Sequence, residues 1–508
     1  MTRNALKPTE FQESVIHKFV DSNARGGILG LGTGVGKTTV SVEILKRMGA
    51  ERVLIMGPES TFDSWASTLL WQTGRKLRRA ANNALTFSLT PDPTRRDEVV
   101  SVKLTAAMCK GNLQACLDGE PGFYFVTREL FTSKVWSKVP VTRGGEPVID
   151  PKTKKPKMRN VRKDVWGAKK PFDVVVVDEN QKFATKGNRG QKAFQHVQAT
   201  FRMVSSADWF STDLANMHRV ACDVFGDEVV GMNYAEFEDE YLETAFDPFA
   251  YTKRKVVGEK IPGLFASSLP LYVTAPPSVT PPESVSRYVS LGREERALYD
   301  QLEQYNVARV GDEFLTTTIP LTLRIRLREL SLGTFKVIET GEVDEDGVPK
   351  QTIEFPENMR SVKLDEIKSI MAGHPGEHLI VSTHSAKWAR RAAQMLGGEA
   401  WTGGASKQER ADMKRRFLEG ENKLLFVIPE AFGVGTDGFQ AVCNRIVFAS
   451  RSDQSLMHSQ TVARIARTGQ ERQVEVIDLI ARDTYDEGVI HRIDDKIARN
   501  NESKGWNE

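Results

Sequence analysis

The sequence predicts an α/β protein built from two parallel-sheet lobes in tandem, with insertions between and within them, and three observations carry that prediction. First, Gly27-Ile28-Leu29 leads through Gly32-Thr33-Gly34-Val35-Gly36-Lys37-Thr38-Thr39 into the helix-like run Val40 to Leu45, a strand, glycine loop and helix in succession. Second, Phe172-Asp173-Val174-Val175-Val176-Val177 places four valines in a row, as a strand buried on both faces of a parallel sheet requires. Third, strand and helix patterns alternate again from His378-Leu379-Ile380-Val381 through Leu424 to Ile428 and on to Arg445-Ile446-Val447-Phe448.

Composition narrows the class. A chain of 508 residues has room for two or three domains, and 40% hydrophobic with 27% charged residues is the balance of a soluble globular protein. No apolar run is long enough for a bilayer, and Met1-Thr2-Arg3-Asn4 lacks the apolar core of a signal peptide, so a soluble, cytoplasmic protein without membrane association is expected. Cys109, Cys116, Cys222 and Cys443 are scattered, without metal-ligand spacing, and read as buried free thiols. The net charge of +3 is too small to identify a polyanion partner by itself.

In chain order, the helix expected from Gln12 to Val20 brings a glutamine whose amide could read an adenine edge. The glycine loop follows. Glycines let backbone N–H groups turn toward phosphates, Lys37 reaches the β- and γ-phosphates, and the Thr38 hydroxyl can ligate Mg²⁺; Gly34, Gly36, Lys37, Thr38 and Thr39 are therefore candidate ATP contacts. The strict phosphate-loop pattern asks for glycine where Leu31 stands. Strands at Arg52–Gly57 and Gly122–Val126 end in Pro58-Glu59-Ser60-Thr61 and Thr127-Arg128, at the carboxyl edge where ligands of such sheets sit. Ser60, Thr61, Thr127 and Arg128 are candidate nucleic-acid contacts, against the reading of Ser and Thr as helix caps, and Trp65 reads as core rather than a base-stacking platform.

Residues 134–170 hold 12 Lys/Arg against 3 Asp/Glu and several prolines and glycines. They read as a flexible basic loop on nucleic-acid phosphates, with Lys154, Lys155 and Lys157 as contacts; a solvated insertion or an import-like signal are the rival readings. The valine strand then ends in Asp178-Glu179-Asn180-Gln181. Two carboxylates there are costly unless they serve a cation or a reaction, so Asp178 is assigned to the Mg²⁺ shell and Glu179 to deprotonating a water. Residues 214–300 read as an inter-lobe insertion and linker rich in prolines near Pro276-Pro277, and residues 335–355 as a hairpin. In the second lobe Ser382 and Thr383 are further candidate nucleic-acid contacts.

Gln460-Thr461-Val462-Ala463-Arg464-Ile465-Ala466-Arg467-Thr468-Gly469-Gln470 is the most specific stretch. As a helix it would present Gln460, Arg464 and Arg467 on one face, two guanidiniums suited to a γ-phosphate. It resembles motif VI of superfamily-two helicases, in the form found in Snf-type, chromatin-remodeller-like DNA translocases, and most of the chain fits that resemblance in order. Gln12 resembles the adenine-reading glutamine, Gly34 to Thr38 motif I, Pro58 to Trp65 motif Ia, Thr127 motif Ib, Asp178-Glu179 motif II, and Gly433-Val434-Gly435 motif V. Gly403 to Phe417 resembles the family's glycine-then-E-R stretch, Tyr288 to Tyr299 its inter-lobe segment, and Thr484 to Glu487 its brace.

The resemblance implies two RecA-like lobes: residues 1–213, an insertion and linker at 214–300, lobe two at 301–483 and a brace with tail at 484–508. It implies ATP between the lobes, with Gly435 and Asp437 as further cofactor contacts, and catalytic roles for Lys37, Glu179, Gln460, Arg464 and Arg467. The expected activity is a nucleic-acid-stimulated ATPase that moves along or remodels duplex or branched DNA. Single-stranded DNA is a further candidate partner; an RNA helicase and a binding scaffold without turnover are the alternatives. Three departures stand out: Ser205-Ser206-Ala207-Asp208 where motif III is expected, Pro429 where motif V has a threonine, and Gln181 where motif II commonly has histidine.

Overall fold

The computed structural model describes residues 7–89, 100–132, 135–143, 146–150, 156–163, 170–180, 194–195, 197–211, 213–246, 254–310, 313–317, 320–343, 349–432 and 438–506. The chain divides into two compact units, Met1–Pro276 with Glu502–Glu508, and Pro277–Asn501. Each is an α/β lobe around its own parallel sheet, the tandem RecA-like class.

The first unit carries seven strands in the order Tyr272–Ala275, Gly26–Leu31, Ala199–Ser205, Phe172–Asp178, Arg52–Gly57, Gly122–Thr127, Leu77–Arg79. Every neighbouring pair is parallel. Val174 to Val177, Val53 to Met56 and Phe123 to Val126 are all buried, which is why these strands read as continuous apolar runs rather than alternating ones. Parallel strands share one carboxyl edge, so the segments after Leu31, Gly57, Thr127, Asp178 and Ser205 leave the sheet on the same side.

In the second unit the order is Val285–Val289, Glu475–Ala481, Arg445–Phe448, Leu379–Ser382, Leu424–Val427, Glu399–Trp401, again parallel throughout. Its strands feed two cores by alternation. Val381, Phe426 and Val447 enter one cluster, while Ile380, Leu425 and Ile446 enter the other.

Two segments differ from the sequence reading. The described parts of 134–170 form an antiparallel ribbon rather than a flexible loop: Val135–Pro140 pairs with Met158–Lys163, and Thr142–Arg143 with Glu146–Pro147. Val135, Trp136, Val139 and Val161 supply the β-branched and aromatic residues that favour strands, a signal that the lysine count obscures. Residues 214–276 belong to the first unit, because Phe237 packs on Phe265 at 4.6 Å and Tyr241 at 5.7 Å and Tyr272–Ala275 completes the sheet beside Gly26–Leu31. Val285–Val289 pairs into the sheet of the second unit. Residues Lys336–Val343 and Pro349–Glu354 form the expected hairpin. The cysteines are free thiols, and burial pushes Cys116 and Cys443 up to about 12. Among the described residues no helix is long and apolar enough to cross a membrane.

Candidate active site

The glycine loop closes at the N-terminus of helix Lys37–Arg47. Gly34 and Gly36 have φ of 80° and 89°, the left-handed region that a side chain resists, and a Cβ on Gly36 would lie 2.7 Å from Gln12 Nε2. Leu31 explains itself: it is the fully buried last residue of the strand, one step before the loop. Lys37 Nζ donates to the carbonyls of Leu31 and Gly32 at 3.0 and 3.2 Å, so its ammonium lies across the loop. Gln12 donates from Nε2 to the carbonyl of Val35 at 2.8 Å and accepts the Thr9 N–H at 3.0 Å. Half of the amide's bonding capacity is thus committed to the chain's own backbone, one contact fastening the loop and the other capping the helix Glu10–Val20.

Register brings the acidic pair to this loop. Asp178 stands opposite Ser205, and Ser205 opposite Leu29. Ser41, one turn into the loop helix, meets Ser205 through their hydroxyls at 3.2 Å, and Ser206 N–H donates to Leu29 at 3.1 Å. Asp178 is 6% exposed and accepts the Trp65 indole N–H at 2.8 Å. Burial first, and the Glu179 charge second, push its pKa up to about 7, against the pull of Trp65, Lys37 and Thr61. A carboxylate raised this far fits a divalent cation, whose charge would hold it ionised, and the Thr38 hydroxyl at the first turn of the loop helix suits the same ion.

The raised value has a consequence for stability. The unfolded group ionises near 4 and the folded one near 7, so the folded state binds more protons between these values and stability falls as pH rises through that window. Asp178→Asn should therefore stabilise the nucleotide- and Mg²⁺-free protein at pH 8, on the order of 1–4 kcal/mol, and leave it unchanged at pH 4. Denaturant titrations at both pH values check this; an equal effect at both would remove Asp178 as the buried charge.

Glu179 sits in the left-handed region, φ 54°, and its N–H donates to the Ser205 carbonyl at 3.3 Å. A non-glycine residue there needs support, and the Ser205 turn supplies it. Asn180 adds a hydrogen bond from Nδ2 to the Trp209 carbonyl in the same turn.

The other predicted residues fall in three groups. Ser60 is exposed and Thr61 half-buried in the short turn Glu59–Thr61, but Thr61 donates to Pro58 at 3.0 Å and lies beside Asp178, which attaches it to the acidic pair. Thr127 is buried and accepts the Leu130 N–H, a cap on the helix Arg128–Thr132; Arg128 is half-buried and Lys157 exposed. Ser382 and Thr383 are fully buried; Ser382 ends the strand Leu379–Ser382, and the Thr383 hydroxyl meets Ser450 and accepts the Ser385 N–H. Lys154, Lys155, Gln181, Gly435 and Asp437 lie outside the described residues.

The second unit also corrects the expected arginine helix. The helix Ser455–Val462 contains Gln460, which is buried, but it ends before Arg464. Arg464 and Arg467 follow in tight turns, with Arg464 N–H on Thr461 and Arg467 N–H on Ile465. Turning here buries Val462, Ile465 and Ala466 together in one core. Their spacing mimicked a helical face.

Trp65 closes the stretch that resembles motif Ia and reads by itself as core. It is fully buried, yet its indole N–H orients Asp178. Its spacing four residues after Thr61 was the available signal, since both now flank one carboxylate.

No protein-family model and no curated protein matches the chain. Among solved structures, the Sulfolobus solfataricus SWI2/SNF2 ATPase core in complex with dsDNA aligns with 99% of this chain and 95% of its own, at 14% identity and a TM-score of 0.37. That likeness is too slight to bear on function, and the fold rests on the two sheet orders above.

Proposed function

We propose that the chain is an ATP- and Mg²⁺-dependent DNA translocase or helicase of the superfamily-two, Snf-like type. The observation that carries this reading is the joining of loop and acidic pair at one sheet edge: Gly34, Gly36 and Lys37 on one side, Asp178 and Glu179 on the other, with Ser205 between them. Mg²⁺, when bound, supplies positive charge to the phosphates and the developing leaving group. Backbone N–H groups of the loop and Lys37 hold the phosphates, Thr38 and Asp178 hold the ion, and Trp65 keeps the Asp178 carboxylate aimed. Glu179 orients a water and takes its proton. Arg464 and Arg467 neutralise charge on the transferred phosphoryl group, a role that rests on the motif resemblance.

Movement along duplex or branched DNA rests on that resemblance together with the basic ribbon. ATP turnover measured at fixed salt without nucleic acid and with single-stranded, duplex or branched DNA, or RNA, tests the choice of partner. Stimulation by duplex or branched DNA supports it, and stimulation by RNA alone overturns it.

The ribbon makes a separate prediction. Deleting residues 134–170 should weaken DNA binding and reduce the salt slope, by about 0.9 in log K against log salt for each phosphate that the ribbon neutralises. An unchanged slope in a salt series would take the ribbon off the DNA-binding surface.

A further inference from the structure

The turn beneath Glu179 is anchored from the far end of the chain. Asp208 is ion-paired with Lys504, 296 positions away in sequence. The Lys504 side chain is 3% exposed, and its ammonium lies 4.4 Å from the Trp506 ring centroid. Trp506 donates from Nε1 to Thr274 Oγ1 at 2.6 Å, and Thr274 donates to the carbonyl of Gly30, in the strand that launches the glycine loop, at 3.2 Å. Tyr272 donates to the Lys504 carbonyl at 3.2 Å. An ammonium buried this completely depends on its carboxylate partner and on the ring beside it.

Asp208 is no isolated surface acid. It belongs to the turn whose Ser205 carbonyl accepts the Glu179 N–H and whose Trp209 carbonyl accepts the Asn180 side chain. Its own N–H donates to Ser206 Oγ at 3.3 Å, and its carbonyl accepts from Ser211 at 3.0 Å. This is also where the chain departs from the motif III pattern, with a carboxylate at position 208.

We propose that Lys504 is a positioning residue for Glu179: by holding Asp208, the C-terminal segment fixes the Ser205–Ser211 turn and, through it, the left-handed backbone of Glu179. The chemical purpose of that positioning rests on the ATPase reading. The mechanical link does not.

Full-length Lys504→Met, Asp208→Asn and Lys504→Arg variants test it, by amide hydrogen exchange and by ATP turnover. Exchange at the amides of Glu179, Ser206 and Ser211 should rise about 10-fold or more in the Met and Asn variants, with strand amides of Arg52–Gly57 unchanged as the control for folding. Turnover number should fall about 10- to 100-fold in both, because a small displacement of the water-activating group suffices. KM for ATP should stay within about two-fold, and Lys504→Arg should keep most of the activity. The double variant should be no more impaired than either single one, as expected for partners in one ion pair.

Unchanged exchange at Glu179 overturns the proposal, and so does faster exchange with unaltered turnover. If the wild-type protein hydrolyses no ATP, the functional reading falls on its own, and exchange at the Glu179 amide still decides whether Lys504 positions it.

Discussion

Glu179→Gln is expected to lower ATP turnover by about 10²- to 10⁴-fold while nucleotide binding stays close to wild type. The substitution keeps the shape of the side chain and the backbone hydrogen bond to Ser205, so the turn remains supported. Only the proton acceptor is removed. Taking away this charge also relieves Asp178, whose pKa Glu179 raises, so that carboxylate ionises more readily in the variant. Turnover and fluorescent-nucleotide binding measured on the same preparation separate the two effects. A loss below about 10-fold would mean that another group activates the water.

Arg467→Ala should cost about 10³- to 10⁵-fold in turnover with ATP binding retained, the effect of removing a guanidinium that acts on the transferred phosphoryl group. The backbone at this position is held by its N–H bond to Ile465 and by the Gln470 N–H on its carbonyl, with Ile465 and Ala466 buried alongside. Alanine removes the charge and leaves these backbone hydrogen bonds available. Arg467→Lys should recover only part of the rate, because an ammonium cannot fork onto two oxygens. Near wild-type turnover in the alanine variant would sink the assigned role.

The sheets were legible because their strands are buried on both faces. Val174 to Val177 and Arg52 to Gly57 have no polar alternation to confuse with a helix or a surface strand. The glycine loop was legible because the left-handed backbone at Gly34 and Gly36 demands glycine, and its one mismatch, Leu31, is the buried last residue of the strand before it.

Other features lay beyond local pattern. The spacing of Gln460, Arg464 and Arg467 fits a helical face, but the apolar residues between them are buried by a turn, and only tertiary packing distinguishes the two. Ser382 and Thr383 stand at a strand end as phosphate contacts do, and the hydroxyl of Ser450 on a neighbouring strand's exit takes Thr383. Trp65 meets Asp178 across 113 positions and Lys504 meets Asp208 across 296, pairings no window along the chain can display. The basic count of residues 134–170 suggests a loose loop, but Arg159, Arg162 and Lys163 stand opposite Val139, Trp136 and Val135, so no two basic residues face each other and β pairing holds.

One comparison decides whether ATP is hydrolysed at the loop and acidic pair: steady-state ATP turnover of wild-type protein and Lys37→Ala, side by side, at one salt concentration with duplex DNA present. Lys37 lies across the loop on the Leu31 and Gly32 carbonyls and is assigned to the phosphates. Clear turnover by wild type and none above background by Lys37→Ala is the predicted result. Equal rates for the two proteins would place the hydrolysis elsewhere or in a contaminant, and would contradict the assignment of this site.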